Sequence, residues 1–251
     1  IMKFKNSKQY ADYLNKWLYD FVKSAHKDGV VLGISGGIDS ALCLALCNGK
    51  YKVKVKPYFI DFNNTELDVK CVKELAKKYK ISIPTLNISS CFNIIVKACK
   101  ATSTLAKANI KPRLRMTALY TLAQQNNMLV LGTSNAPERY LGYFTKYGDA
   151  ACDVALIAQL LKKDIYEMSK SLKLPDIIIK RAPSASLYVG QTDEKELGIT
   201  YKEIDNYLEN PNIKLSPKSL KRIKQLHKAS LHKVSKLNMP EPYKKLILSN
   251  D

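Results

Sequence analysis

The residues whose types and spacing suit chemistry best are Ser35, Gly36, Gly37, Asp39 and Ser40, in the run Gly33-Ile34-Ser35-Gly36-Gly37-Ile38-Asp39-Ser40. An apolar stretch from Gly29 to Ile34 leads into them and Ala41 to Leu46, with helical character, follows, so the whole reads as strand, tight loop, helix. Gly36 and Gly37 let backbone N–H groups approach an anion closely. Ser35 and Ser40 add hydroxyl donors, and the next helix turns its positive end to the same point. The backbone from Gly33 to Ser40 is therefore expected to cradle phosphate. Asp39 is the exception, because a carboxylate beside polyphosphate is repelled unless a divalent cation lies between them; this makes Asp39 a candidate Mg2+ ligand. The simpler alternative is a glycine turn joining strand to helix.

A second group lies downstream. Gly132-Thr133-Ser134-Asn135 closes a run beginning at Met128, and Glu138 follows a few residues later. If the two strands are neighbours, Asp39 and Glu138 face each other as carboxylates able to share a cation with phosphate; otherwise Glu138 is an ordinary helix-start carboxylate. Gly142 to Asp153 is dense in aromatics, glycine and carboxylate without a helix or strand period, the composition of an ordered binding loop. Lys162 and Lys163 precede a helix expected over Asp164 to Leu172, where a lysine could simply be solvated. The run from Arg181 to Glu194 is small and polar and is expected to be a mobile lid, with a surface linker as the alternative.

The elements that must position these groups follow from periodicity. Lys8 to His26 carries Tyr10, Leu14, Trp17, Leu18, Phe21 and Val22 at helical spacing and is expected to bury Trp17. Strands are expected at Val53 to Asp61, Ile81 to Ile88 and Met128 to Thr133. Helices are expected at Thr65 to Tyr79, Cys91 to Cys99, Leu105 to Gln125, Thr200 to Leu208 and Ser216 to His232, before a tail from Met239 to Asp251. Apolar strands alternating with helices imply an α/β fold, a doubly wound parallel sheet of Rossmann-like type, with extra helices at the C-terminal end. In such sheets ligands bind beyond the carboxyl ends of the strands, which gathers the two motifs into one place.

With 251 residues, 46% of them hydrophobic, the chain has ample length for a buried core. It contains no uninterrupted apolar stretch of about 18 residues and does not open on a signal peptide, so a cytoplasmic protein with no membrane partner is expected. The cysteines, Cys43, Cys47, Cys71, Cys91, Cys99 and Cys152, have no CxxC spacing and are expected to be reduced and mostly in the core. A net charge of +19 would suit nucleic acid, but the lysines are scattered along the chain, which argues against that partner. Only Arg113, Arg115, Arg139, Arg181 and Arg222 are arginine, and four of these fall between 113 and 181, as if marking places that need a rigid bidentate fork.

The loop at Ser35–Ser40 resembles that of enzymes that split ATP between its α and β phosphates to adenylate a substrate, the adenine nucleotide alpha hydrolase type of fold. The segments Asn109 to Met116, Gly132 to Glu138, Gly142 to Asp149, Pro183-Ser184-Ala185, Gln191 to Glu194 and Glu196 to Tyr201 resemble, in order and spacing, ammonia-dependent NAD synthetase. The resemblance implies one synthetase domain over 1–251 without a glutaminase domain. It implies ATP as co-substrate and Mg2+ as cofactor, with ammonia and deamido-NAD as the other substrates, and a homodimer. ATP adenylates the nicotinate carboxylate, pyrophosphate leaves, and ammonia attacks the mixed anhydride to give NAD and AMP. By position, Gly33, Ile34, Ser35, Gly36, Gly37, Ile38, Asp39, Ser40, Thr133, Lys162 and Ser184 would bind ATP, with Asp39 and Lys162 the catalytic pair. Asp39 and Glu138 would hold the metal. Arg113, Tyr143, Lys146, Asp149, Asp153, His232 and Lys233 would surround deamido-NAD.

The sequence departs from the family pattern at Pro112 and Leu156, and Lys56-Pro57-Tyr58-Phe59 lacks the arginine often found beside adenine. Two rival readings come with the motif: a tRNA-modifying adenylating enzyme similar to lysidine synthetase, which the net charge would suit, and a non-catalytic nucleotide-binding module.

Overall fold

The computed structural model describes residues 6–62, 64–183 and 192–235. In chain order the elements are α1 (Ser7–Ser24), β1 (Val30–Gly33), α2 (Ile38–Cys47), β2 (Val55–Asp61), α3 (Glu66–Tyr79), β3 (Thr85–Asn87), α4 (Ser89–Ala98) and α5 (Thr104–Gln125). They continue with β4 (Leu129–Leu131), α6 (Ala136–Leu141), α7 (Lys162–Ser171), α8 (Asp176–Ile179), α9 (Asp193–Leu197), α10 (Tyr201–Glu209) and α11 (Pro217–Val234). The sheet is parallel with order β3-β2-β1-β4. The chain winds outward from β1 through β2 to β3, then crosses back to place β4 on the other side of β1. The order therefore reverses between β1 and β4, and their carboxyl ends carry the two motifs, as expected for a doubly wound Rossmann-like sheet.

Local sequence explains most of the framework. In α2, Ser40 to Cys47 and Ile38 are all buried, because this helix lies inside the main core with β1 and with α1 and α7 on its outer side. Burying each of its leucines contributes about 1.5–3 kcal/mol. Thr65 opens α3 with a capping box closed by Asp68, and Asn135 does the same for α6 with Glu138. Pro112 sits inside α5, where it is buried. A second hydrophobic cluster, built from Leu141, Leu197, Ile199, Tyr201, Ile204 and Ile223, joins α6, α9, α10 and α11.

Several expectations need correction. Trp17 is 40% exposed and stacks on Phe21 at 5.4 Å, because Leu14, Leu18 and Val22 supply the face of α1 that packs inward. The third strand has only three residues, at the sheet edge, where one side lacks a partner strand among the described residues. Cys43, Cys47 and Cys71 are buried, but Cys91 and Cys99 are exposed and Cys152 is half-buried; all are free thiols. Helix α7 begins at Lys162, two residues earlier than the pattern suggested. Asp193 and Glu194, placed in a lid by sequence, open the short helix α9. The rest of that proposed lid, 184–191, and the tail 236–251 lie outside the described residues. Among the described residues no helix is long and apolar enough to cross a membrane.

Candidate active site

At the end of β1 the chain turns through Ser35, Gly36 and Gly37 into α2. Gly36 has φ +83°, and a Cβ there would stand 3.1 Å from the Asp68 carbonyl oxygen and 3.2 Å from the Arg181 guanidinium, so a side chain would be both strained and crowded. The loop is held from within: the Gly37 N–H donates to Ser35 Oγ (3.2 Å), the Ser35 N–H donates to Ser40 Oγ (3.2 Å), and Ser40 Oγ donates to the Gly37 carbonyl (3.1 Å). The serine hydroxyls thus shape the cradle as well as being available to an anion. From outside, Arg181 donates to Asp68 Oδ1 at 2.6 Å and to the Gly36 carbonyl at 3.4 Å.

Asp39, in the first turn of α2, faces the end of β4. Asn135 donates through Nδ2 to Asp39 Oδ1 (2.9 Å) and to Glu138 Oε1 (2.7 Å), while its Oδ1 accepts the Glu138 N–H (3.0 Å). The cap of α6 and the carboxylate pair are therefore one structure: Glu138 is a helix-start carboxylate and also stands opposite Asp39. Lys162 reaches between the two acids, 2.8 Å from Asp39 Oδ2 and 3.7 Å from Glu138 Oε1, with only 2% of its side chain exposed. It is not a solvated lysine. Asp205 receives the Lys162 and Lys163 backbone N–H groups (3.0 and 2.8 Å) and so fixes the start of α7. The Tyr201 ring lies 4.8 Å from the ammonium.

The electrostatics follow from this crowding. Burial acts to lower the Lys162 pKa, but Asp39 and Glu138 outweigh it and hold the ammonium charged above its ordinary value. Glu138, buried and repelled by Asp39, is pushed up to about 8 although Lys162 acts the other way. Two carboxylates gathered round one cation in this way can exchange a proton for a second cation.

Residues of the loop from Gly33 to Ser40, Thr133, Glu138 and the loop from Gly142 to Ala151 line one cavity of about 670 Å³. Its far wall includes Arg113, Tyr143, Lys146, Asp149, His232 and Lys233. That wall is assembled by α11. Lys233 donates to the carbonyls of Gly142 (2.7 Å) and Phe144 (2.9 Å), and Lys146 donates to the carbonyl of His232 (2.7 Å). Asp149 accepts the Thr145 N–H at 2.9 Å, and Arg113 reaches the Lys146 carbonyl at 3.4 Å. Asp153 is placed differently: its Oδ2 accepts the Val130 N–H at 2.7 Å and its Oδ1 the Tyr120 hydroxyl at 3.3 Å, which ties it to the edge of β4 outside the cavity wall. Ser184 lies outside the described residues. Sequence reasoning gave no role to Asn135, Asp193 or Tyr201; for Asn135 the signal was there, an N-cap asparagine three residues ahead of a glutamate.

A glycine loop at the switch point of a parallel sheet, with paired carboxylates and a buried lysine beside it, is the arrangement of a Rossmann-like α/β protein with a site at the strand ends. Residues 10–247 match the family model described as NAD synthase, and the chain belongs to that family. It is 44% identical over 229 residues to the NH(3)-dependent NAD(+) synthetase of Mycoplasma genitalium, covering 90% of this chain and 92% of that one. To the protein of the same name from Thermoplasma acidophilum it is 40% identical, covering 86% and 90%. Among solved structures, NMN synthetase from Francisella tularensis superposes with a TM-score of 0.90 at 38% identity, covering 95% of this chain and 99% of that one. NH3-dependent NAD synthetase from Campylobacter jejuni does so at 0.81 and 28%, covering 94% and 100%. These relatives support the ammonia-dependent ligase reading of the motifs and not the tRNA-modifying one.

Proposed function

We propose that this chain transfers the adenylyl group of ATP to the nicotinate carboxylate of deamido-NAD, releasing pyrophosphate, and that ammonia then displaces AMP from the mixed anhydride to give NAD. The observation that carries the reading is the meeting of Asp39, Asn135, Glu138 and Lys162 at the head of the glycine loop, with Asp39 and Glu138 on the same cavity as Tyr143, Lys146 and Asp149. The donor set suits Mg2+: two carboxylate oxygens converge where a positive charge is already held, and such an ion takes its remaining ligands from phosphate and water. When bound, Mg2+ would supply charge neutralisation on the departing pyrophosphate.

The chain's own residues do the rest. Backbone N–H groups from Gly33 to Ser40, with Thr133, hold the triphosphate; Lys162, buried between Asp39 and Glu138, supplies fixed positive charge beside them; Tyr143, Lys146, Lys233 and the neighbouring Arg113 hold the second substrate. No side-chain nucleophile is needed, so rate comes from positioning and fixed charge. We assign Asp153 to shaping β4, and Ser184 to ATP by its place in the motif. The described residues form a single synthetase domain drawing on free ammonia, located in the cytoplasm. A homodimer goes with the reading: α4 has no buried residue, and Ile94 and Leu105 are among the most exposed apolar side chains.

Incubation with ATP, Mg2+, ammonia and deamido-NAD should yield AMP and NAD in equal amounts. No NAD above the enzyme-free control would sink the proposal. The Francisella neighbour supports a second reading, amidation of the mononucleotide, and competing the two deamidated substrates in one tube decides between them. Sedimentation velocity checks the dimer.

A further inference from the structure

Asp193 is a buried carboxylate to which the proposed chemistry gives no part. It opens α9, is 4% exposed, and lies on the cavity wall. Its Oδ2 accepts the Tyr201 hydroxyl at 2.9 Å, and its Oδ1 faces the Tyr143 hydroxyl at 3.3 Å, which also reaches Glu196 Oε2 at 2.8 Å. The two phenols belong to opposite halves of the site. Tyr201 carries its ring 4.8 Å from the Lys162 ammonium, on the ATP side, and Tyr143 stands in the loop of the second substrate.

The helix that carries Asp193 is itself fixed. Arg222 Nε donates to the Leu197 carbonyl at 2.7 Å, the Tyr201 N–H donates to Glu194 Oε1 at 2.7 Å, and Gly198 ends the helix at φ +72°. A single carboxylate on a rigid mount thus sets the Tyr201 ring against Lys162 and, together with Glu196, flanks the Tyr143 hydroxyl. Tyr201 belongs to the second hydrophobic cluster, so a phenylalanine there keeps its ring and loses only the link to Asp193.

We infer that Asp193 is a positioning residue that couples the two halves of the site, holding Tyr201 against Lys162 and Tyr143 against the second substrate; this rests on the function proposed above. Three variants test it, Asp193→Asn, Tyr201→Phe and Tyr143→Phe, each characterised by melting temperature, by ATP binding in a calorimeter, and by kinetics with each substrate varied in turn. Losing a hydrogen bond to a charged group corresponds to about a tenfold effect or more. Asp193→Asn should lower kcat about tenfold, raise KM for the second substrate, and weaken ATP binding. Tyr201→Phe should reproduce the kcat and ATP effects alone, and Tyr143→Phe the KM effect alone.

Combining Asp193→Asn with Tyr201→Phe should add little, since the shared link is already broken, whereas Tyr143→Phe also removes the bond to Glu196 and should add a loss of its own. An additive Asp193→Asn and Tyr201→Phe double variant, single variants within twofold of the parent, or losses that do not divide between kcat and KM would each overturn the inference. If Asp193→Asn does not fold, Tyr201→Phe carries the test, and unchanged ATP binding in it is sufficient refutation. The ATP-binding arm does not depend on turnover. A parent protein that binds ATP but makes no NAD counts against the proposed function, while ATP binding by Asp193→Asn and Tyr201→Phe still decides whether Asp193 holds Tyr201 against Lys162.

Discussion

The two walls of the cavity are built in different ways. The wall proposed for ATP is made where strands β1 and β4 end, and each of its two motifs is closed locally before Asn135 and Lys162 reach Asp39 across 96 and 123 residues: serines five residues apart bond to each other, and Asn135 and Glu138 cap one helix turn. The wall for the second substrate is held across long separations, with Lys233 bonded to carbonyls 91 and 89 residues away and Lys146 to one 86 residues away. Two short motifs joined by Lys162 make the first wall, and the packing of α11 onto the loop after α6 makes the second. Loosening α11 from that loop should therefore reach one substrate and spare the other.

The largest effect is expected on the ATP wall. Lys162→Ala removes the cation between Asp39 and Glu138, and turnover should fall by about 10²–10³-fold with the fold retained, read by NAD formation and circular dichroism. On the other wall, Gly142→Ala would put a Cβ 2.0 Å from Ser230 Cβ at a φ of +64°. It should destabilise the protein by about 1–3 kcal/mol and raise KM for the second substrate while leaving that for ATP unchanged. Equal damage to both KM values would mean that the walls are not separable.

A smaller effect concerns pH. Glu138 is held at about 8 in the fold against its ordinary 4.5, so the folded chain binds this proton more tightly than the unfolded chain does. The resulting stability is complete below about pH 4.5 and is lost as pH rises through about 8. Without nucleotide or metal ions, the melting temperature should drop across that window, and Glu138→Gln should flatten the drop; a parallel decline in both proteins would exclude Glu138 as its source. The smallest effect is on Lys16→Ala, which removes an exposed pair with Asp20 far from both walls and should change neither melting temperature nor kinetics measurably.

The contrast between the walls also explains what could be read in advance. Strand, loop and helix around Ser35–Ser40 were legible because a glycine pair and an apolar period are local signals, and the parallel sheet followed from apolar strands alternating with helices. Lys162 was ambiguous by local pattern, since nothing near it in sequence shows that two acids from other elements will surround it. Asp193 and Tyr201 were misread or passed over for the same reason. Asp193 sits in a polar run that resembles a lid, and only its burial against Tyr143 and Tyr201 distinguishes it.

The amino-acid sequence by itself determined the strand, glycine loop and helix around Ser35–Ser40, the α/β class and, through its ordered motifs, the family. Each of these depends on residues close together in the chain, or on a pattern that repeats along it. Tertiary structure alone decided that Lys162 is buried between Asp39 and Glu138, that Asp153 braces β4 away from the cavity, and that Asp193 joins the two walls. Those outcomes depend on desolvation and on hydrogen bonds between groups tens of residues apart, and both arise only once helices α7, α9 and α11 have packed.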